Sequence, residues 1–80
     1  MIKSSKHTAS DMAQRGILLA YIESVVKQPE WSTADFRSGL PRSFRRIPEF
    51  GNRYLRVVHR PDGADIFVAT VQWDRGASKP

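Results

Sequence analysis

The sequence predicts an α+β fold in which two N-terminal helices pack on a small antiparallel sheet of three strands or slightly more. Two observations predict this order of elements. Apolar residues recur at helical spacing up to residue 28, and runs of β-prone residues separated by turn residues fill positions 42 to 73. With 80 residues the chain has the size of one small domain, so we expect a single domain over residues 1–80. Its core should cover about residues 5–75, with residues 1–3 and 76–80 flexible.

The first helix is bounded by recognisable end signals. Ser4 or Ser5 can cap its N-terminus, because a serine hydroxyl accepts a hydrogen bond from a free backbone N–H of the first turn. The helix should run through Arg15 and stop at Gly16, since glycine readily takes the left-handed conformation at a helix end. The residues expected on its apolar stripe are Ala9, Met12 and Ala13.

The second helix follows directly from Ile17. Its apolar positions have helical spacing and comprise Leu18, Tyr21, Ile22 and Val25. Pro29 requires the helix to end near Lys27 or Gln28, because proline biases the residue before it toward extended conformations. Residues 31 to 41 show no sustained periodicity, and we expect a connecting loop there.

Three strands should follow, over Arg42–Ile47, Arg53–Arg60 and Asp65–Trp73. A three-residue hairpin loop at Pro61–Gly63 would place Arg60 opposite Ala64, because proline suits the first turn position and glycine the left-handed one. In this register, alternate residues of the last two strands face either the helices or the opposite side of the sheet. The residues expected to face the helices are Arg53, Leu55, Val57, His59, Asp65, Phe67, Ala69 and Val71.

The opposite face of these strands is the candidate working surface. Its expected residues are Tyr54, Arg56, Val58, Arg60, Ile66, Val68, Thr70 and Gln72. A slip of one residue would exchange the two faces, so a different register is the open alternative. Trp31 and Trp73 are expected to be core or lid residues rather than platforms for base stacking.

Several classes of site are disfavoured by composition. Cysteine is absent and the two histidines, His7 and His59, lie far apart, so we expect no disulfide, no metal and no cofactor. The apolar stretch from residue 17 to 26 is about half as long as a membrane-spanning helix and contains Glu23. Residues 1–10 have no apolar run of the kind found in signal peptides. A cytoplasmic protein without membrane contact is expected.

Positive charge is concentrated in one part of the chain. The formal net charge is +5, and residues 41–60 contain six arginines against Glu49 as the only acidic residue. Arginine offers a planar donor fork that matches phosphate oxygens. The expected partner is RNA, DNA or an acidic protein. The residues expected to bind it are Arg42, Arg45, Arg46, Arg53, Arg56 and Arg60.

Two histidine–carboxylate pairs are candidates for acid–base chemistry. His7, Asp11 and Arg15 lie four residues apart, so they share one row of the first helix, where Asp11 can orient His7 beside a cation. A solvated helix face with a weak ion pair is the simpler interpretation. His59 opposite Asp65 is the second pair, for which a structural role is favoured. On the sheet, the residues that can grip a phosphate and stack a base are Arg46, Tyr54, Arg56 and Thr70.

Five motifs occur in an order that resembles a known family. They are His7–Ile17, Pro29–Trp31, Phe44–Gly51, Arg53–Val58 and Val71–Ala77. Together they cover the chain from about residue 6 to residue 77. The sequence resembles the bacterial domain-of-unknown-function family 4258, which is distantly similar to toxin ribonucleases of the RelE and BrnT type. This resemblance implies a RelE-like fold, with a helical N-terminal segment before a small antiparallel sheet.

The same resemblance implies a function. In RelE-like ribonucleases, basic and aromatic side chains on the sheet position RNA without a metal while a ribose hydroxyl attacks the phosphate. The leading hypothesis is therefore an RNA-binding, metal-independent endoribonuclease that acts on RNA or the ribosome as the toxin of a toxin–antitoxin pair. The alternatives are a non-catalytic module that binds an acidic, antitoxin-like protein, and a relic that keeps the fold without the chemistry. The catalytic candidates are His7, Arg15, Arg46, Tyr54 and Arg56. Many relatives have arginine at the position of Asp11, so Asp11 is given no phosphate-binding role.

Overall fold

The computed structural model describes all 80 residues and consists of two helices and a five-stranded mixed sheet. In chain order the elements are β1 (Ile2–Ser4), α1 (Lys6–Arg15), α2 (Leu19–Lys27), β2 (Trp31–Ala34), β3 (Pro41–Ile47), a 3-10 turn (Pro48–Phe50), β4 (Arg53–Asp62) and β5 (Asp65–Trp73). The order across the sheet is β1-β5-β4-β3-β2. β1 is parallel to β5, and the other neighbouring strands are antiparallel. The predicted α+β class is confirmed, but the sheet has one additional strand at each edge.

Both helices pack on the same face of the sheet, which we call the helix side. β4 directs Leu55 and Val57 toward this face, and α2 directs Ile22 and Val25 toward it; all four side chains are fully buried. The burial of Leu55 and Val57 confirms the face predicted for β4. Eight buried apolar residues form the core between helices and sheet, namely Ile17, Ile22, Val25, Ile47, Leu55, Val57, Val68 and Val71.

The ends of both helices follow the local signals of the sequence. Ser5 caps α1, because its Oγ accepts a hydrogen bond of 3.2 Å from the backbone N–H of Thr8. Gly16 ends α1 in the left-handed region, with φ of 67°. α2 ends at Lys27, as the following Pro29 requires. The predicted bounds of α1 and the predicted end of α2 are confirmed, whereas α2 begins at Leu19 and not directly from Ile17.

The contact surface of α1 differs from the predicted apolar stripe. Ala9 and Ala13 are exposed, and only Met12 of that stripe packs against the core. The buried residue is Thr8, whose Oγ1 donates a hydrogen bond of 3.0 Å to the carbonyl oxygen of Ala69 on β5. A threonine can be buried here because its hydroxyl satisfies a main-chain acceptor, a contact that apolar periodicity does not reveal.

The two edge strands are absent from the sequence prediction. The segment predicted as a loop contains β2, which pairs with β3 so that Trp31 lies opposite Phe44. β2 has only four residues, too few to establish a period. At the other edge β1 pairs with β5, so the start that was expected to be flexible includes residues of a paired strand, with Ile2 opposite Ile66. Local patterns do not identify a distant parallel partner, which explains why β1 was missed.

The hairpin between β4 and β5 has a different turn from the predicted one. Asp62 pairs with Asp65 around a two-residue turn, so Arg60 lies opposite Phe67 and not opposite Ala64. The glycine at the first turn position has φ of 61° and supplies the left-handed conformation that such a turn needs. The predicted three-residue loop is wrong because β4 continues to Asp62 and leaves only Gly63 and Ala64 in the turn, while β5 has its predicted bounds.

The two-residue turn changes which residues at the start of β5 face the core, and a β-bulge restores the predicted faces of Thr70 and Val71. The β-bulge lies between Val58 and His59 of β4, where the register shifts and Ala69 has no partner. On the turn side of the bulge, Val68 lies opposite His59 and is buried in the core, although the predicted register placed it on the opposite face. Phe67 lies opposite Arg60, away from the helices, although it was predicted to face them. The face assignment is therefore correct for β4 and partly wrong for β5.

Candidate nucleic-acid interface

One face of the sheet is covered by no helix, and we call it the open face. On its two central strands Phe44 lies opposite Arg56, and Arg46 lies opposite Tyr54. These residues alternate along β3 and β4 with residues that point to the helix side, as the pleat of a strand requires. The cations and aromatic residues of the open face are Trp31, Arg42, Phe44, Arg46, Tyr54, Arg56, Arg60 and Phe67.

Three aromatic residues of the open face are in contact and form the aromatic cluster: Trp31, Phe44 and Tyr54. Trp31 is stacked on Phe44, with 4.7 Å between ring centroids and 11° between ring planes. Tyr54 meets Trp31 at an interplanar angle of 62°, with 5.2 Å between centroids. Phe44 is buried, whereas Trp31 and Tyr54 are half-buried and keep ring surface accessible to a ligand.

Two arginines of the open face are held by neighbouring side chains. Arg42 donates from Nε to Thr33 Oγ1 at 3.1 Å, and its guanidinium lies 5.7 Å from a ring centroid of the aromatic cluster. Arg56 donates to Gln72 Oε1 at 2.6 Å and forms an ion pair of 3.2 Å with Asp74. A guanidinium held in this way loses little conformational freedom when it binds an anion.

The other two arginines of the open face have fewer partners. The Arg46 side chain is exposed and its guanidinium makes no hydrogen bond or ion pair within the chain; only its backbone N–H is bound, by Glu30 Oε2 at 2.7 Å. Arg60 lies over the ring of Phe67, 4.6 Å from the centroid. Arg46 is therefore the cation of this face that is most available to a ligand.

Two of the six arginines predicted to bind a partner lie on the helix side, and for Arg53 this is the face that the predicted register gave. Arg45 donates to the carbonyl oxygen of Gln28 at 2.7 Å, at the C-terminal end of α2. There it satisfies a free helix carbonyl and the negative end of the helix dipole. Arg53 lies opposite the core residue Ile47, with its guanidinium 5.6 Å from the ring centroid of Phe50. The predicted basic cluster is thus divided between the two faces.

The structure does not assemble the predicted catalytic residues into one site, because α1 lies on the helix side. His7 Nε2 is 3.7 Å from Asp11 Oδ2, as their spacing predicts, but the His7 side chain is 88% exposed. Arg15 donates from NH1 to the carbonyl oxygen of Val71 at 3.0 Å and thereby ties α1 to β5. His7 and Arg15 are consequently separated by the sheet from the candidate residues of the open face.

The predicted pairing of His59 with Asp65 is wrong. His59 lies opposite Val68, and its Nε2 is 2.9 Å from Ser43 Oγ. Asp65 forms an ion pair of 3.2 Å with Lys3. Burial lowers the pKa of His59 below its usual value, whereas hydrogen bonds from the N-terminal amine and from Lys3 lower the pKa of the Asp65 carboxyl.

The open face offers groups for binding a nucleic acid. Arginine forks match phosphate oxygens, and accessible aromatic rings stack on bases. The face carries no histidine, and Asp74, the carboxylate next to its centre, is paired with Arg56. No group of three His, Cys, Asp or Glu side chains is arranged to hold a metal ion. The chemistry available on this face is therefore binding and charge stabilisation.

Sequence reasoning missed four residues that shape the open face: Trp31, Phe44, Phe67 and Asp74. Trp31 was expected in the core or in a lid, whereas it belongs to the aromatic cluster. The signal for Asp74 is its spacing of two from Gln72, which was predicted on this face, so that both side chains can hold Arg56. Trp73 lies on the helix side, stacked on Phe50 at 4.3 Å, as expected for a core residue. Thr70 lies opposite Val58 on the open face, as predicted.

The fold and site define a small α+β protein with a basic and aromatic sheet face. The chain belongs to the family described as a domain of unknown function (DUF4258), whose model matches residues 4–73, from the end of β1 to the end of β5. The family resemblance seen in the sequence is thus confirmed. No curated protein gives a significant match to the chain. No solved structure gives one either. Neither helix has the length and apolar character needed to cross a bilayer.

Proposed function

We propose that this protein binds single-stranded RNA on the open face. The observation that carries the proposal is the position of the aromatic cluster among four arginines on the sheet face that no helix covers, namely Arg42, Arg46, Arg56 and Arg60. Contacts between arginine and phosphate supply much of the affinity of such complexes, and stacking of bases on aromatic rings supplies a further part. The arginines and the aromatic rings that these contacts require lie together on the open face, on adjacent strands.

The aromatic cluster favours a single strand over a duplex. In a duplex the faces of the bases are covered by their neighbours, so stacking on a protein ring requires unpaired bases. Trp31 and Tyr54 are half-buried and can present ring surface to such bases. The resemblance to RelE and BrnT ribonucleases adds support for RNA as the ligand.

Cleavage of the bound RNA is the stronger form of this proposal. It would depend on Arg46, Tyr54 and Arg56, which are neighbours on β3 and β4. In this step the ribose 2′-oxygen forms a bond to the adjacent phosphorus and the bond from that phosphorus to the 5′-oxygen breaks. The 2′-hydroxyl proton passes to solvent, and solvent protonates the leaving 5′-oxygen. No metal is required, and the two guanidinium groups would stabilise the charge that develops on the phosphate oxygens. His7 and Arg15 are left without a direct role, because α1 packs on the opposite side of the sheet. A toxin of a toxin–antitoxin pair is the biological role that fits this activity.

A module that binds an acidic protein is the second candidate function. The outer edge of β2 is paired with no other strand, and exposed Arg37 follows it along the chain. An extended segment of a partner can add to such an edge through main-chain hydrogen bonds. Acidic side chains on that segment would be attracted to the arginines near this edge.

RNA binding is tested by fluorescence anisotropy with a labelled single-stranded RNA, over a series of salt concentrations. The matched variants are Arg46→Ala on the open face and Arg53→Ala on the helix side, since both remove one exposed arginine. Arg46→Ala should weaken binding about tenfold and lower the salt slope by about 0.7 for the phosphate contact that is lost. Arg53→Ala should change the affinity by less than about twofold.

The outcomes separate the candidate functions. Equal losses for Arg46→Ala and Arg53→Ala would show that net charge alone attracts the RNA, and no salt-sensitive binding would exclude the proposal. Cleavage is measured in the same samples with EDTA present, with and without ribosomes. Binding without cleavage limits the function to RNA binding. If the protein does not bind RNA but co-purifies with a stable acidic partner, the result supports the protein-binding module.

A further inference from the structure

A chain of three hydrogen-bonded side chains crosses the sheet on the helix side, and we call it the serine–histidine chain. Ser32 Oγ is 2.9 Å from Ser43 Oγ, and Ser43 Oγ is 2.9 Å from His59 Nε2. The three residues belong to the adjacent strands β2, β3 and β4, with Ser32 directly opposite Ser43. Ser32 is exposed at the sheet edge, Ser43 is buried and His59 is half-buried. The chain therefore leads from an accessible hydroxyl to a sheltered imidazole.

The tautomer of the imidazole sets the direction of these hydrogen bonds. Burial lowers the pKa of His59, and no charged side chain forms a hydrogen bond or ion pair with its ring, so the ring is neutral near pH 7. In the tautomer with its proton on Nδ1, the ring accepts at Nε2, the nitrogen next to Ser43. Ser43 then donates its single hydroxyl proton to His59, and its oxygen accepts the proton of Ser32.

We propose that Ser32 is a nucleophilic hydroxyl that accepts acyl groups from activated esters and thioesters, with His59 as the general base acting through Ser43. A serine is a weak nucleophile until a base can take its proton as it attacks, and a base within hydrogen-bond reach supplies that activation. Here the buried Ser43 connects the nucleophile to the base. Exposure of Ser32 at the edge of β2 gives the acyl donor access.

The step involves no redox change. Ser32 Oγ attacks the acyl carbonyl carbon, a C–O bond forms, and the bond from that carbon to the leaving oxygen or sulfur breaks. The Ser32 proton moves to Ser43 Oγ while the Ser43 proton moves to His59 Nε2. The leaving alkoxide or thiolate then takes up a proton from solvent, and His59 returns its proton to solvent. The products are an ester of Ser32 and a free alcohol or thiol.

This site is independent of the proposed RNA-binding surface. Ser32 alternates along β2 with Trp31 and Thr33, so it points to the helix side while they belong to the open face. RNA binding and acylation can therefore succeed or fail separately.

The experiment uses the full chain with a fluorophosphonate probe and, separately, with p-nitrophenyl acetate, followed by peptide mapping with mass spectrometry. Adducts should form on Ser32 about 100-fold faster than on Ser38, because general-base assistance accelerates such reactions by this order. Ser38 is a suitable reference because it is also exposed but has its hydroxyl bound to Asp35. Adducts spread evenly over the exposed serines would overturn the proposal.

Single substitutions test each residue of the serine–histidine chain. Ser32→Ala should remove the adduct, Ser43→Ala and His59→Gln should slow its formation about 10- to 100-fold, and Ser38→Ala should leave the rate unchanged. The rate in the native protein should fall as the pH drops through the pKa of His59, and His59→Gln should lose this dependence. Circular dichroism identifies any variant that unfolds. If either Ser43→Ala or His59→Gln unfolds, the other of these two variants tests whether the serine–histidine chain activates Ser32. A folded His59→Gln or Ser43→Ala protein that reacts at the native rate would contradict the role of the chain.

Discussion

The two faces of the sheet are built by the same strands but carry different kinds of residues. On the helix side β4 presents Leu55 and Val57, which are fully buried in the core. On the open face the same strand presents Tyr54 and Arg56, whose side chains remain accessible. Neighbouring residues along β4 therefore belong either to the core or to the candidate binding surface. Stability therefore depends on one set of side chains and the proposed binding on another, although both sets share one backbone.

The polar contacts of α1 also differ from those of Arg56. Between α1 and β5, on the helix side, Thr8 and Arg15 bind the main-chain oxygens of Ala69 and Val71 and so join the helix to the sheet. On the open face Arg56 binds other side chains, which hold its charged group at the surface. Loss of the Thr8 or Arg15 contact should consequently affect folding, and loss of the Arg56 contacts should affect the proposed ligand binding.

The largest expected effect is the loss of stability on truncating the core. Leu55→Ala should lower the free energy of unfolding by about 2–5 kcal/mol, because it removes a fully buried side chain and leaves a cavity. Arg46→Ala, the matched change on the open face, should alter it by less than about 0.5 kcal/mol. Urea unfolding followed by circular dichroism measures both values. A larger loss for Arg46→Ala than for Leu55→Ala would reverse the assignment of the faces.

The next effect in size is the loss of RNA affinity when the aromatic cluster is altered. Trp31→Leu should weaken binding of single-stranded RNA by about 1–3 kcal/mol, because leucine keeps some apolar contact with Phe44 but cannot stack on a base. Trp73→Phe is the control on the helix side, where it removes the hydrogen bond of 2.9 Å from Nε1 to the Arg15 carbonyl oxygen. It should lower stability by about 1 kcal/mol and leave RNA affinity unchanged. Anisotropy titrations that gave equal affinities for Trp31→Leu and the native chain would remove the aromatic cluster from the binding surface.

The smallest expected effect is the pH dependence of stability due to His59. Its pKa is lowered by burial, so the unfolded chain binds this proton more readily than the folded chain. The stability that His59 contributes is therefore complete above the unfolded pKa of 6.5 and is lost as the pH falls through the lower folded value. The free energy of unfolding should decrease more steeply below pH 6.5 in the native chain than in His59→Gln. Parallel pH profiles of the two proteins would contradict this expectation, and RNA affinity at constant pH should be the same for both.

Local signals of the sequence were sufficient for the helices and for the position of three strands. Ser5 and Gly16 mark the two ends of α1 through side-chain and backbone conformations that depend on only a few neighbours. The alternation along β4 was likewise sufficient to place Leu55 and Val57 in the core and Arg56 on the other face of the sheet. These predictions succeeded because the physical cause of each feature lies within a short segment.

The remaining errors concern contacts between distant segments. The two-residue turn after Asp62 places Val68 opposite His59 and so in the core, and the β-bulge beside His59 then shifts the register of the remaining pairs between β4 and β5. The grouping of His7 with Arg46 failed because α1 packs on the helix side, whereas Arg46 lies opposite Tyr54 on the open face. Trp31 was missed as a surface aromatic because its strand is short and is defined by pairing with β3. Register and layer order are properties of the packed chain, not of any local pattern.

The two tryptophans provide one reporter for each face. Trp31 is part of the aromatic cluster on the open face. Trp73 lies on the helix side, stacked on Phe50, and its indole N–H is bound to the carbonyl oxygen of Arg15. Each indole N–H gives a separate NMR resonance, so both faces can be observed in one sample without substitution.

The central claim, that RNA binds to the open face, is tested most directly by titrating the ¹⁵N-labelled chain with a short single-stranded RNA. The Trp31 indole resonance should shift and reach saturation as RNA is added, together with the backbone amides around Arg46 and Arg56. The Trp73 indole resonance should keep its position throughout. A saturating shift of Trp73 with Trp31 unchanged would place the RNA on the helix side and contradict the account.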